Sequence, residues 1–171
     1  MAIEYRYCPY CGSPLVRRSV FGAMRPTCPN CAFVQFLDPK VAVIGLVTSA
    51  GRVLLVRRGV DPERGQWALP GGFMDAGEMP DEALQRELME EVGLDVTIEG
   101  LLGIFPMVAR PRIAGGIVIA YRASPASGTC PALEQNDDVD EAKWFKAGDL
   151  PDDVAFESSQ ELLSEWLRAL A

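Results

Sequence analysis

Runs of apolar and β-branched residues alternate with short polar turns after residue 40, which predicts a set of strands. Residues 41–48 form one such run, the turn at residues 49–51 follows, and residues 52–57 form a second run. Two apolar runs joined by a short turn are typical of a β-hairpin. The same pattern predicts three further strands, at residues 96–105, 113–122 and 143–145.

The segment between the hairpin and the next strand has the pattern of an amphipathic helix. Pro80 suits the first helical position, and Gly93 supplies a C-terminal stop. Leu84, Leu88 and Val92 recur every four residues, so they predict one buried stripe. A short helix from Pro80 is therefore expected, with its polar residues on the other faces.

A second helix is predicted at the end of the chain. Ser158, with Glu161 three residues later, has the pattern of a capping box, and apolar residues follow at helical spacing. With 171 residues, of which 49% are hydrophobic, the chain can build one compact core and a small appended module. Two large domains would not fit.

The charge balance limits the kinds of partner and of chemistry. Acidic residues outnumber Lys and Arg by 24 to 16, for a net charge of −8. A general nucleic-acid binder is therefore not expected, although Arg17, Arg18 and Arg25 could give the N-terminal module a local basic face. The sequence has no histidine, which removes histidine bases, ligands and triads. Chemistry must rest on carboxylates, which divalent cations can convert into a local positive centre.

Hydropathy bears on location. No apolar run of signal-peptide type follows Met1, and no stretch approaches the roughly 20 apolar residues of a membrane helix. We therefore expect a soluble, cytoplasmic protein without a membrane partner.

Four of the five cysteines form two Cys-x-x-Cys pairs. Cys8 and Cys11 are separated by 16 residues from Cys28 and Cys31, which is the ligand spacing of a four-thiolate zinc ribbon. Two disulfides or a redox pair are the alternatives. Four thiolates would fill the coordination tetrahedron, so a Zn²⁺ ion here is expected to be structural. Cys130 is interpreted as a plain thiol.

Three glutamates cluster on the predicted first helix. Glu87, Glu90 and Glu91 are spaced i, i+3 and i+4, so they lie close together and repel one another by a few tenths of a kcal/mol per pair. Either solvent screens them or a cation occupies the cluster. An ordinary solvated helix face is the alternative for such a pattern alone.

The wider segment around these glutamates is more specific. Gly72, five residues, Glu78, seven residues, Arg86-Glu87-Leu88, one residue, Glu90-Glu91, one residue and Gly93-Leu94 together resemble the complete signature of the Nudix hydrolase family. The resemblance implies an α/β/α sandwich around a mixed sheet, preceded here by a small zinc ribbon. It places the ribbon at residues 1–38 and the Nudix domain at residues 39–171. The implied activity is hydrolysis of a nucleoside diphosphate linked to another moiety.

The resemblance also implies roles for individual residues. Mg²⁺ or Mn²⁺ would be bound by the carboxylates of Glu87, Glu90 and Glu91 and by the Gly71 carbonyl. Arg86 would orient the acidic cluster, and Glu78 would pair with Arg86. Gly71 and Gly72 would permit close backbone approach to phosphate and metal, a simple turn being the alternative.

The proton acceptor and the substrate contacts stay open. Glu87 is the first candidate for assisting the attacking water, but the family often uses a later loop, and the acids there are Glu134, Asp137, Asp138, Asp140 and Glu141. Arg110 and Arg112 are candidates for diphosphate contact, and solvated loop arginines are the alternative.

Two groups of Nudix enzymes with a ribbon are similar: NADH pyrophosphatases and shorter ADP-ribose or FAD hydrolases. Residues 104–111 keep Phe-Pro but lack the rest of the array typical of NADH enzymes, and Pro111 lies near a position where ADP-ribose enzymes tend to have proline. ADP-ribose or FAD is therefore favoured over NADH. A non-catalytic nucleotide sensor is the alternative from another class, and the ribbon could also close a homodimer.

Overall fold

The structure is a computed structural model that describes residues 4–108, 115–130, 132–133 and 138–170. The chain forms two compact units. One comprises Met1–Lys40 with Met107–Gly116, and the other comprises Val41–Pro106 with Ile117–Ala171. No helix in the described part of the chain is both long and apolar enough to pass through a membrane.

The first unit is built around a small antiparallel hairpin. Strand β1 (Val16–Val20) pairs with β2 (Ala23–Thr27) through a tight turn at Phe21 and Gly22. Val34 extends the pairing through an isolated bridge to Thr27. The two Cys-x-x-Cys turns flank this hairpin in the sequence.

The second unit contains a six-stranded sheet. Its order is β5-β4-β3-β7-β6, and β8 pairs antiparallel with β4. The strands are β3 (Lys40–Ser49), β4 (Arg52–Arg58), β5 (Trp67–Ala68), β6 (Val96–Met107), β7 (Gly116–Pro125) and β8 (Val139–Lys146).

The predicted strands are present with shifted ends. The β3-β4 hairpin is confirmed, with Thr48 opposite Val53. The strand expected at residues 143–145 is longer, because β8 pairs with β4 along nearly its whole length. Of the strand expected at 113–122, positions 113 and 114 lie outside the described residues, and β7 begins at Gly116.

Two helices pack on the sheet. Helix α1 (Pro80–Val92) begins at the proline and ends at Gly93, whose φ of 64° is left-handed, both as predicted. Helix α2 (Glu157–Leu170) begins one residue before Ser158. Ser158 therefore lies inside the first turn of the helix and not at its N-cap, so the prediction of a capping box there is wrong.

Alternation along the central strands produces the layers. Buried residues of β3 and β4 divide between two apolar clusters, because successive side chains point to opposite faces of a sheet. One cluster joins Val43 and Leu54 to Leu84 and Leu88 of α1. The other contains Leu46, Val53, Leu55, Leu162, Leu163 and Trp166, the last three from α2. The predicted α/β/α sandwich with a mixed sheet is confirmed.

Candidate active site and cysteine cluster

The turn before α1 lies against the acidic face of that helix. The Gly71 amide donates a 3.0 Å hydrogen bond to Oε2 of Glu91. On either side of Gly71, the carbonyls of Pro70 and Gly72 accept hydrogen bonds from strand β3, 2.9 Å from the Gly45 amide and 2.8 Å from the Val43 amide respectively. The turn is therefore held by the sheet while it presents an amide to the helix.

Both glycines of this turn are required by close approach. Gly71 has a φ of 140°, and a Cβ there would overlap the Val43 carbonyl. A Cβ on Gly72 would stand 2.6 Å from Oε1 of Glu87, inside ordinary van der Waals contact. The absence of side chains thus lets β3 come close to Gly71 and the Glu87 carboxylate come close to Gly72.

Arg86 is held in a fixed orientation by Glu78. Its Nε lies 2.6 Å from Glu78 Oε1, and its Nη2 lies 3.0 Å from Glu78 Oε2, which is a two-pronged ion pair. Nη2 also donates to the Phe73 carbonyl at 3.1 Å. The Arg86 guanidinium and the Asp75 amide hold the pKa of Glu78 at about 2. The expected pairing of Glu78 with Arg86 is present.

The remaining nitrogen of Arg86 joins two of the clustered glutamates. Nη1 donates to Oε1 of Glu87 and to Oε2 of Glu90, each at 2.9 Å. The Glu87 side chain is 15% exposed and that of Glu90 is 52% exposed. Arg86 therefore neutralises part of the acidic cluster and orients two of its members.

Burial makes this cluster energetically demanding. The pKa of Glu91 is raised to about 8, chiefly by desolvation and in part by the nearby Glu87, while the Gly71 amide acts to lower it. Desolvation likewise raises the pKa of Glu87, against the lowering effect of Arg86. Two partly buried carboxylates that resist ionisation side by side favour a site that takes up positive charge.

The donor set suits a hard cation, although the oxygens are not gathered into a closed shell. Among the described residues, the only group of three or more metal-ligating side chains with all its ligand atoms within 4.8 Å of one another is the cysteine cluster. Glu87 and Glu90 meet the Arg86 guanidinium instead, and Glu91 meets an amide. Carboxylate oxygens are the ligands that Mg²⁺ and Mn²⁺ prefer, so the chemistry of these three side chains suits such an ion.

Charged residues from other parts of the chain affect the pKa of Glu91. Arg58, at the end of β4, lowers the pKa of Glu91, and Asp138 raises it. The Gly59 amide donates to the Asp138 carbonyl at 2.7 Å, and a Cβ on Gly59 would lie 2.9 Å from Oδ1 of Asp140. Of the later acids considered as alternatives to Glu87, Asp138 is therefore close enough for its charge to act on Glu91.

Arg58 was missed in the sequence analysis. It is partly buried, its Nε donates to the Pro62 carbonyl at 2.8 Å, and its guanidinium lies 5.1 Å from the centre of the Phe156 ring. The sequence signal that could have found it is a cation at the end of a buried strand, directly before Gly59.

Several predicted residues lie outside the described part of the chain. These are the two arginines and the proline proposed for substrate contact and two of the acids considered as bases, namely Arg110, Arg112, Pro111, Glu134 and Asp137.

The four cysteines of the first unit come together. Their Sγ atoms all lie within 4.8 Å of one another, with 3.5 Å between Cys8 and Cys31 and 3.4 Å between Cys11 and Cys28. Disulfide sulfurs would be about 2.0 Å apart, so these cysteines are unpaired thiols. Four sulfurs at roughly 2.3 Å from one zinc ion would be roughly 3.8 Å apart. The geometry therefore fits a tetrahedral ion.

The thiols of this cluster do not titrate alike. Hydrogen bonds with Ser13 lower the pKa of Cys11 to about 6. The Cys28 sulfur accepts hydrogen bonds from the Asn30 amide at 3.4 Å and the Cys31 amide at 3.3 Å. Against the lowering effect of the Phe33 backbone, the neighbouring Cys8 and Cys28 thiols raise the pKa of Cys31 to about 12. The low pKa of Cys11 and the amide donors at Cys28 therefore favour the thiolate, which is the metal-binding form of cysteine, at those two positions.

The comparisons with known proteins agree with the fold. The NUDIX domain family matches residues 37–167. This chain therefore belongs to the Nudix family.

Two relatives are similar along most of this chain. An ADP-ribose pyrophosphatase of Methanocaldococcus jannaschii is 34% identical over 133 residues, which are 78% of this chain and 76% of that protein. The NAD-capped RNA hydrolase NudC of Pseudomonas putida is 30% identical over 156 residues, which are 88% of this chain and 51% of that protein. The chain thus spans about half the length of the NudC relative.

A solved structure extends the similarity to nearly the whole chain. The crystal structure of a NUDIX hydrolase from Nitrosomonas europaea matches with a TM-score of 0.83 and 27% identity, and it covers 96% of this chain and 91% of its own.

Proposed function

We propose that this protein hydrolyses the diphosphate bond of a nucleoside diphosphate derivative, with ADP-ribose or FAD as the substrate. The observation that carries the proposal is the partly buried pair of Glu87 and Glu91 carboxylates, whose pKa values are raised, facing the turn of Gly71 and Gly72. Ionising two such carboxylates side by side destabilises the metal-free protein, and bound cations stabilise their charged form.

We assign the metal ligands as the three signature carboxylates and one backbone oxygen: Glu87, Glu90, Glu91 and the Gly71 carbonyl. A Mg²⁺ or Mn²⁺ ion at this site would acidify a water and neutralise the charge that develops on the phosphate oxygens. Arg86 acts as a positioning residue, because Glu78 fixes its guanidinium and its Nη1 atom orients Glu87 and Glu90.

Two groups can accept the proton of the attacking water. Glu87 lies in the cluster itself, where a carboxylate beside the metal-bound water can take its proton. Asp138 lies close enough to Glu91 for its charge to raise the pKa of that carboxyl. We assign Glu87 as the first candidate and Asp138 as the alternative.

Support for ADP-ribose comes from the archaeal relative, which is similar over three quarters of its own length, and from Pro111. NADH or another NAD derivative is the second candidate, because the similarity to NudC covers 88% of this chain. Only Phe105-Pro106 of the array typical of NADH enzymes is present, which favours ADP-ribose. Arg110 and Arg112 are proposed to contact the diphosphate.

We further propose that the cysteine cluster binds one structural Zn²⁺ ion and that the ribbon spans residues 1–38, followed by the catalytic domain at 39–171. The four sulfurs leave no open coordination position for a substrate or a water. A ribbon-mediated homodimer is compatible with this arrangement.

The test is a substrate panel with matched variants. Purified protein is incubated with ADP-ribose, FAD, NADH, NAD⁺ and nucleoside triphosphates in Mg²⁺ or Mn²⁺, and products are separated by chromatography. We expect AMP from ADP-ribose or FAD, loss of activity with a chelator, and loss in Glu90→Gln. Glu165→Gln, an exposed glutamate on α2, is the control and should keep full activity. Tight ADP-ribose binding without any turnover would instead support the alternative function of a non-catalytic nucleotide sensor.

A further inference from the structure

The charge of this protein is unevenly distributed. Residues 5–37 contain four of its 16 basic residues and none of its 24 acidic ones. A zinc ion bound by four thiolates contributes −2 there, so the segment stays positive while the rest of the chain is strongly acidic. The net charge of −8 for the whole chain therefore conceals a basic segment near the N-terminus.

Two arginines of the hairpin face each other directly. In the register of β1 and β2, Arg18 lies opposite Arg25, so both side chains project from the same face. Arg25 also donates to the carbonyls of Val20 and Phe21 in the turn. Like charges directly opposite each other destabilise a strand pair, and an anion bound between them would remove that cost.

Aromatic rings are exposed beside these arginines. Phe21 is 81% exposed and Phe36 is 47% exposed, and their rings stack with centres 6.1 Å apart. The Arg25 guanidinium lies 5.1 Å from the centre of the Phe36 ring. Phe21 has a φ of 48°, a left-handed conformation that Asn, Asp and Gly adopt far more readily than Phe. A residue that is unfavourable both for its exposure and for its backbone indicates a role outside folding.

A cavity lies next to this face. Its volume is about 300 Å³, and its lining includes Arg17, Arg25 and Phe36 together with the acidic side chains of Glu4 and Asp38. Ligand pockets of proteins begin at about this size. Arg17 is ion-paired with Glu4 at 3.4 Å, so within this lining Arg25 and the Phe36 ring are the groups that suit a flat, anionic ligand.

We propose that this surface of the ribbon, formed by Arg18, Phe21, Arg25 and Phe36, binds single-stranded nucleic acid. The phosphates of the nucleic acid lie between Arg18 and Arg25, and its bases stack on the two phenylalanine rings and on the Arg25 guanidinium. Single-strand binders combine a positive groove with exposed rings in this way. A protein partner would also cover the rings, but the acid-free segment and the paired arginines favour a polyanion.

The test is fluorescence anisotropy with a labelled 12-nucleotide single-stranded RNA, its DNA equivalent and an RNA duplex. The zinc-loaded Glu91→Gln chain is used without added Mg²⁺, so that turnover plays no part. We expect both single strands to bind more tightly than the duplex, and the affinity to fall as salt rises. Replacing Arg18 by Gln should reduce the slope of log K against log salt by about 0.7, the value for one phosphate of a single strand.

Phe21→Asn separates binding from folding. Asn tolerates the left-handed turn better than Phe, so the variant should unfold at the same temperature as the parent or higher, yet bind the single strand at least about fivefold more weakly. Tyr10→Ala is the matched control, because Tyr10 is also 81% exposed but packs on Phe33 outside this surface. It should bind within twofold of the parent.

Three results would overturn the proposal: no single-strand binding at 50 mM salt, unchanged binding by Phe21→Asn, or equal losses in Phe21→Asn and Tyr10→Ala. Sedimentation equilibrium adds a fourth. If Phe21→Asn dissociates a dimer and nucleic acid does not bind, the surface joins two copies of this chain instead.

Discussion

Adjacent glycines in the turn before α1 should fail in different ways when each receives a methyl group. In Gly72→Ala, the new Cβ would stand 2.6 Å from Glu87 Oε1, whereas ordinary contact begins near 3.4 Å. The carboxylate therefore has to swing aside. A displacement of roughly 1 Å at a catalytic group can reduce turnover by about 100-fold, so we expect a loss of that order.

The same substitution should leave the fold almost unchanged. The atom that must move is the end of a flexible side chain, and an off-rotamer torsion costs about 0.5 to 1.5 kcal/mol. Replacing Gly by Ala stabilises by about 0.4 to 1 kcal/mol through the unfolded chain. The two effects nearly cancel, and the melting temperature should change by only a few degrees.

Gly71→Ala should instead destabilise the protein. Its φ is 140°, and its Cβ would meet the Val43 carbonyl, which belongs to backbone that is hydrogen-bonded to Gly72 at 2.8 Å. Backbone strain of about 1 to 3 kcal/mol and a weakened hydrogen bond of about 1 kcal/mol give a loss of about 2 to 4 kcal/mol. For a chain of this size that corresponds to a fall of roughly 10 °C in Tm.

The assay pairs calorimetric Tm with kcat/KM for ADP-ribose or whichever panel compound is hydrolysed. If Gly72→Ala keeps both parental activity and parental Tm, Glu87 does not act from the position that the structure gives it. If Gly71→Ala has the same Tm as the parent, Gly71 does not lie as close to the Val43 carbonyl as the structure places it.

Other changes should affect turnover, the pH dependence of stability and the zinc content of the protein. Glu91→Gln should lower turnover by at least about 100-fold while the protein stays folded, because the amide oxygen can still accept from Gly71 but the charge for the cation is lost; rates within a few-fold of the parent would contradict this. The metal-free protein should lose stability as pH rises from about 4.5 to about 8, since Glu91 holds its proton more tightly when folded, and below pH 4.5 it should lose stability again as Glu78, with a pKa of about 2, becomes protonated. Thermal melts from pH 3 to 8.5 check this, and Glu91→Gln should flatten only the upper limb. Purified reduced protein should contain one zinc per chain by plasma emission, and Cys28→Ser should reduce it without changing the Mg²⁺ requirement of any residual activity; a zinc content near zero in the parent would refute the structural ion.

Much of the active-site helix could be predicted from the sequence because its information is local. The spacing of Leu84, Leu88 and Val92 defines the buried side of α1, and that alone places the three signature glutamates on other faces. Pro80 and Gly93 set its ends for reasons that involve only their own backbone angles. The same holds for the cysteine pairs, whose short spacing brings two sulfurs to one turn.

What only the tertiary structure decided are the contacts between elements that are distant in the chain. Periodicity cannot show that the Gly71 amide binds Glu91, that Gly72 must be bare because Glu87 lies over it, or that Asp138 approaches from another element. Nor can it show that Arg18 and Arg25 face each other, which depends on the register of the hairpin. Side-chain type and spacing determine which groups a helix or strand can present. The packing of one element on another determines which of those groups meet, and at what distance, because that depends on burial summed over the whole core.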